Sequence, residues 1–177
     1  GWLKTESDVG EWMTAMLLRN LACLDIPVLA RAFSGWQAGD LALVDNWNAF
    51  LYGSRETAEL SLEDVQMGKA LARLLTDLNI DEAKSWQCRD DVGYAVLFAL
   101  AACKRNILLQ DACLGYLWSW CDNQVAVALK LFPLGQTAGQ RLFQGIVSDI
   151  PAAVEKGLAL GDDEIGNTLP GFVFSSV

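Results

Sequence analysis

Apolar residues recur at steps of three and four along most of the chain, the spacing of one face of an α-helix. The first such segment has Ser7 in position to cap it, and its apolar members are Val9, Trp12, Met13, Met16, Leu17 and Leu21. No stretch alternates between apolar and polar residues with period two, so strands are not predicted. The pattern therefore indicates the all-α fold class.

The following segments carry start and stop signals of further helices. Asp25 opens a second helix, which ends in the glycine-containing stretch 35–39, and a third runs from Asp40 to about Gly53. A long helical stretch then covers Arg55 to Leu78. Ser61 resembles a fresh cap and predicts a break in that stretch.

Two segments near the middle are apolar nearly all round, a pattern typical of helices enclosed by others. They run from Asp91 to about Cys103, after a polar loop at 79–89, and from about Leu108 to Leu131. We expect a single-domain multi-helix bundle over residues 1–177 with these two at its centre. The second also carries a small-and-polar face, which predicts either close helix packing or a partner-binding seam; its members are Asp111, Gly115, Ser119, Asp122, Ala126 and Lys130.

A polar hinge separates that helix from the next. Lys130 ends the apolar run, where a cation compensates the helix dipole or contacts a partner, and Pro133 stops the helical hydrogen bonding. Gly135 follows. Thr137 and Gln140 have capping-box spacing, so the next helix starts either near residue 138 or with Pro133 as its first residue.

Composition raises the question of a membrane protein, since 53% of the 177 residues are hydrophobic. The longest nearly unbroken apolar segment, 92–103, is far below the roughly 20 residues that a spanning helix needs. Buried helices or an oligomer interface account for the excess, and the cytoplasm is the expected location. A net charge of −9 with scattered basic residues predicts no nucleic-acid surface.

The reactive residues exclude most catalytic chemistry. Histidine is absent, which removes the commonest general base and transition-metal ligand. The cysteines are five in number and show no C-x-x-C spacing, so reduced, buried thiols are expected; they are Cys23, Cys88, Cys103, Cys113 and Cys121. The acidic run 162–164 favours a solvated loop over a cation site. We predict no enzyme, no metal site and no cofactor.

Three stretches of the chain together match the pattern of one protein family. The first is Ser54-Arg55-Glu56-Thr57-Ala58-Glu59-Leu60 with Gln66-Met67-Gly68. The second and most specific is Lys130-Leu131-Phe132-Pro133-Leu134-Gly135-Gln136 with Gln140. The third is Asp163-Glu164-Ile165-Gly166 followed by Pro170. In these stretches and in their order the chain resembles the UreF family of urease accessory proteins.

The resemblance implies an all-helical, non-enzymatic protein that dimerises and binds the accessory protein UreD, called UreH in some systems. With UreD it would recruit the nickel-delivering GTPase UreG to the urease apoprotein. The implied partner-binding residues lie in the three matching stretches: Arg55, Glu56, Glu59, Lys130, Pro133, Gly135, Gln136, Gln140, Ile165, Gly166 and Pro170.

Relative to that family, the chain is expected to lack an N-terminal arm before Gly1-Trp2 and a C-terminal arm after Val177. A second hypothesis from another class is a helical protein that binds a small molecule or lipid in a pocket beside Tyr116, Trp118 and Trp120. A bound apolar ligand would favour this hypothesis, whereas a copurifying protein would favour the scaffold.

Overall fold

The computed structural model describes residues 5–55, 57–132 and 135–167, and those ranges contain α-helices and no strands. The all-α prediction is therefore confirmed. The helices are α1 (Glu6–Ala15), α2 (Asp25–Ala38), α3 (Leu41–Gly53), α4 (Ala58–Asp77), α5 (Tyr94–Lys104), α6 (Leu109–Leu131), α7 (Gln136–Val147) and α8 (Ile150–Ala159).

Side-chain caps fix several helix starts. The Asp40 carboxylate accepts a hydrogen bond from the Leu43 amide at 3.0 Å, as the sequence predicts. Two other predicted starts are wrong. Thr5, in a capping box with Asp8, caps α1 instead of Ser7, and Thr57 caps α4, which continues unbroken through Ser61.

The start of α7 also differs from the prediction. The helix begins at Gln136 after Gly135, and no side chain caps it, so the predicted capping box at Thr137 is not formed. Within this helix Gly139 is buried against α6, where a Cβ would lie only 2.8 Å from Leu129 Cδ1. Pro133, the alternative first residue, lies outside the described residues.

The sequence pattern does not predict two irregular helical segments. Met16–Leu21 continues α1 as a π-helix, in which the Ala22 amide donates to the Leu17 carbonyl oxygen at 3.0 Å. Asp81–Trp86, predicted as part of a polar loop, forms a 3₁₀-helix whose Trp86 ring packs edge-on against Trp36. Both segments carry buried side chains into the core.

The core lies where α2 and α5 meet α3, α4 and α6. Most of α5 is buried, as expected for an enclosed helix. The prediction for α6 holds on one side only, since Cys113, Leu117 and Cys121 are buried while the opposite side faces solvent. Enclosure of α6 would require a surface from outside the described part of this chain.

Within the described ranges, no single helix is long and apolar enough to cross a bilayer. The segment 6–21 and α2 reach sufficient length and apolarity only as a pair, with a 41° bend between them.

Candidate partner-binding site

The residues singled out by the sequence occupy three different places in the fold. One group lies where the chain enters α4, the second lies where α6 gives way to α7, and the third follows α8. Their burial differs sharply. Each group is therefore described from its own contacts.

The Arg55 side chain is an internal anchor and not a surface charge. Its guanidinium group donates to both carboxylate oxygens of Asp25, at 3.1 and 2.8 Å, and to Asp64 Oδ2 at 3.1 and 3.0 Å. The exposed fractions of the three side chains are 12% for Arg55, 1% for Asp25 and 11% for Asp64. A bidentate, charge-assisted contact of this kind is among the stronger hydrogen-bonding arrangements.

Two further donors complete the cluster. The Tyr116 hydroxyl donates to Asp25 Oδ1 at 2.8 Å, and the Tyr94 amide donates to Asp64 Oδ1 at 3.0 Å. The cluster thus ties the start of α2 and the α3–α4 connection to α4, α5 and α6. Sequence reasoning missed Asp25 as an ion-pair partner, because an aspartate before an apolar helix is equally well explained as a helix-start residue.

Burial and charge shift the ionisation of this cluster. Burial raises the pKa of the Asp64 carboxyl, while the Arg55 cation opposes that shift. For Arg55, burial alone would lower the pKa, but the nearby Asp25 charge raises it overall. Burial also raises the pKa of Tyr116 well above its usual value, and the negative charge of Asp25 raises it further. Arg55 therefore stays charged and Tyr116 stays a hydroxyl donor.

The other predicted residues of this first group give little additional geometry. Glu59 lies exposed in the first turn of α4, and Glu56 lies outside the described residues. Arg55 precedes the helix and binds the carboxylates of Asp25 and Asp64, so Arg55 and Glu59 do not share a helix surface.

The hinge group is the most exposed of the three. Lys130 in the last turn of α6 and Gln136 and Gln140 on α7 all face solvent. Gln136 and Gln140 are four residues apart, so they share one face of α7. Gly135 is the N-cap, and its backbone conformation, with φ −73°, is open to any residue.

Apolar contacts between α6 and α7 support the hinge residues. The Gly139 backbone lies against Leu129, and the Trp118 ring meets Phe143 edge-on with ring centroids 5.3 Å apart. The polar side chains of the hinge consequently project from a packed α6–α7 pair. The described polar residues of the hinge therefore form an exposed surface on this support.

The third group is structural where it is described. Ile165 is buried in the core, and the Gly166 amide donates to the Cys23 carbonyl oxygen at 2.9 Å. Gly166 has a φ of +77°, a conformation that favours glycine. These contacts anchor the chain after α8 against the turn that precedes α2, and Pro170 lies outside the described residues.

The cysteines follow the sequence prediction in part. All five are free; Cys23, Cys113 and Cys121 are buried, but Cys88 is exposed. Burial raises the pKa of Cys113 and of Cys121 to about 12, so both remain thiols at neutral pH. Among the described residues, no group of cysteine and carboxylate side chains is arranged to hold a metal ion.

The aromatic pocket of the second hypothesis is not formed. Tyr116 points into the Asp25 cluster, Trp118 packs on Phe143, and Trp120 packs on Trp12. A groove of about 820 Å³ lies elsewhere, between α1 and α7, with the Glu6–Arg141 ion pair on its rim. None of the three aromatic residues lines it.

Comparison with known proteins gives consistent matches. A model described as UreF matches residues 3–146. Proteins named urease accessory protein UreF align with 99% of this chain. The Alkalilimnicola ehrlichii protein is 46% identical, with 77% of its length covered. Those of Chromohalobacter salexigens and Pseudomonas putida are 41% and 38% identical, with 76% and 79% covered. The chain therefore belongs to the UreF family of urease accessory proteins.

Proposed function

We propose that this protein is a non-catalytic scaffold and GTPase regulator that links UreD, called UreH in some systems, to UreG during nickel delivery to urease. The hinge carries the proposal: Lys130, Gln136 and Gln140 are exposed on a packed α6–α7 support. One cation and two amides suit a polar partner surface, and we assign this surface to UreG. The protein acts on the urease apoprotein in the cytoplasm, holds no nickel itself and catalyses no reaction.

A pull-down with UreD and UreG from the same organism tests this function. Tagged full-length protein should recover UreD and, with UreD present, UreG. The double variant Gln136→Ala and Gln140→Ala should recover less UreG but an unchanged amount of UreD. Recovery of neither partner by the unaltered protein would contradict the scaffold function, whereas unchanged UreG recovery by the variant would remove only the hinge assignment.

The outer face of α6 supports a homodimer. Asp111, Gly115 and Asp122 are exposed there, and a Cβ on Gly115 would meet nothing within 4 Å. Large exposed apolar side chains extend along the same helix and beside it: Leu108, Trp118, Val127 and Leu131. Large apolar side chains that stay exposed favour an interface with another molecule, and a two-fold dimer is the commonest closed assembly.

We expect light scattering to give the mass of a dimer at micromolar concentration. Trp118→Asp should shift the mass toward the monomer, because a carboxylate would be buried without a partner at the interface. Leu62→Asp, also an exposed apolar position but on α4, serves as the control and should leave the dimer intact. A concentration-independent monomer for the unaltered full-length protein would contradict the dimer.

A further inference from the structure

A second exposed apolar surface runs along α4. It is a stripe formed by Leu60, Met67, Leu74 and Leu78, with half-buried Leu71 among them. Their separations of seven, four, three and four residues place them on one side of the helix. The stripe is about 27 Å long at the usual rise per residue. We call it the α4 stripe.

The stripe is separate from the face by which α4 joins the core. That inner face consists of Val65, Gly68, Ala72 and Leu75, and it is packed so closely that a Cβ at Gly68 would lie 2.5 Å from the Val92 carbonyl oxygen. A single exposed leucine needs no explanation. Leu62, on the other side of α4, is such a case, but five apolar residues in helical register are not scattered.

Charge along the border of the α4 stripe restricts what can cover it. Three exposed acidic residues border the solvent side of the stripe: Glu59, Glu63 and Asp77. The basic residues of α4 lie further round the helix, and Lys69 is already paired with Asp90 at 2.7 Å. A helix that docks here therefore contacts an apolar stripe with an acidic border.

This edge argues against a second copy of the chain as the occupant. In a two-fold antiparallel helix pair, each border faces the same border of the other helix. Glu59 and Glu63 of one copy would then approach Asp77 of the other, and like charges at such positions are unfavourable. A basic edge on the occupant reverses the sign of these contacts.

We propose that the α4 stripe is the docking site for an amphipathic helix of a partner protein, whose apolar face is bordered by lysine or arginine. Leucine-type side chains of that helix pack on Met67, Leu71 and Leu74, and its basic border lies along Glu59, Glu63 and Asp77. The overall charge of −9 favours the approach of such a helix. The surface lies on a different helix from the hinge, so it adds a contact that the proposed function does not require.

Three labelled synthetic peptides of about 21 residues, three heptads long, test the proposal by fluorescence anisotropy. The first has leucines on one face bordered by lysines, the second has the same leucines bordered by glutamates, and the third has the first composition in scrambled order. We expect the full-length protein to bind the first peptide more tightly than the other two.

Variants of the protein then locate the binding. Leu74→Lys should weaken binding of the first peptide by about tenfold or more, as loss of a central contact does, and Glu63→Lys should weaken it by a smaller factor of about two to five, because it changes one exposed border charge. Leu62→Lys adds the same charge to an equally exposed leucine outside the stripe and should change little. The exposed fractions of Leu62 and Leu74 are 58% and 53%, so neither substitution should unfold the protein.

Several results would overturn the proposal. They are absence of binding, equal binding of the scrambled peptide, and equal losses in the Leu62→Lys and Leu74→Lys proteins. A fourth would be a sedimentation result in which Leu74→Lys, but not Leu62→Lys, lowers the mass of the protein alone, because a second copy would then occupy the stripe. Should Leu74→Lys fail to fold, the Glu63→Lys protein decides.

Discussion

Arg55→Ala should destabilise this protein by about 3–5 kcal/mol, the usual result when one partner of a buried ion pair is removed. The substitution leaves Asp25 and Asp64 without their cation in an interior from which water is largely excluded. Since domains of this kind unfold at a total cost of about 5–15 kcal/mol, the loss is a large share of the whole. Urea unfolding followed by circular dichroism measures it.

Arg141→Ala is the matched control for this experiment. Arg141 also forms a two-pronged contact with a carboxylate, donating to Glu6 at 3.1 and 3.0 Å, but that pair lies at the surface. Water screens exposed ion pairs, so they contribute little to stability, and this variant should unfold almost as the unaltered protein does. Equal stabilities of the Arg55→Ala and Arg141→Ala proteins would contradict a stabilising role of the buried cluster.

The origin of the loss can be separated from the removal of the arginine side chain. Adding Asp64→Asn to Arg55→Ala removes one of the two uncompensated charges, so the double variant should be more stable than Arg55→Ala alone. Arg55→Lys keeps the positive charge but not the planar guanidinium group, so its stability should lie between those of the unaltered protein and Arg55→Ala. Failure of Asp64→Asn to restore stability would point to lost packing instead of buried charge.

Local chemistry predicts the elements of this fold better than their boundaries. Gly39 and Asp40 stop α2 and start α3 as expected, since one adopts a left-handed conformation and the other caps. Where two hydroxyls compete, the sequence offers no basis for choice. Thr57 caps α4 at the Leu60 amide, the helix continues through Ser61, and Arg55, two residues before the cap, is held by carboxylates of α2 and α4.

The π-helical segment illustrates a different limit. Met16–Leu21 has the same three-and-four apolar spacing as an ordinary helix, so its wider turn has no separate local signal. The α6 face shows a third limit. Its apolar residues indicate burial, but a single sequence does not distinguish burial inside the chain from burial against another molecule.

The candidate sites also differ in how far the sequence alone predicts their surroundings. The sequence predicts that Lys130, Gln136 and Gln140 lie at the surface, because polar side chains between two apolar helices are costly to bury without partners. Arg55 could not be placed in this way. It sits in the polar run 54–57, and its first acceptor, Asp25, lies thirty residues earlier in the chain. The periodicity of the sequence does not show long-range pairing of this kind, and of the residues in the cluster only Arg55 belongs to the family resemblance.

Lys130→Ala should impair urease activation far more than it impairs folding. A lysine at a helix C-terminus stabilises the helix by only about 0.3–1 kcal/mol through the dipole. Truncating a charged contact at an interface costs about 2–5 kcal/mol, which corresponds to a loss of affinity of about thirtyfold or more. Lys130 is exposed at the end of α6, so the two contributions separate by size.

The measurement pairs the melting temperature of each variant with nickel-dependent urease activity in cells that carry only that full-length variant. Lys104→Ala is the matched control, because Lys104 also lies in the last turn of a helix but pairs with Glu82 away from the hinge. Both substitutions remove a dipole-compensating cation, so both should lower the melting temperature slightly, whereas only Lys130→Ala should lower urease activity. If the two variants lose activity equally, or only in proportion to lost folded protein, Lys130 is structural and the hinge is not the contact for UreG.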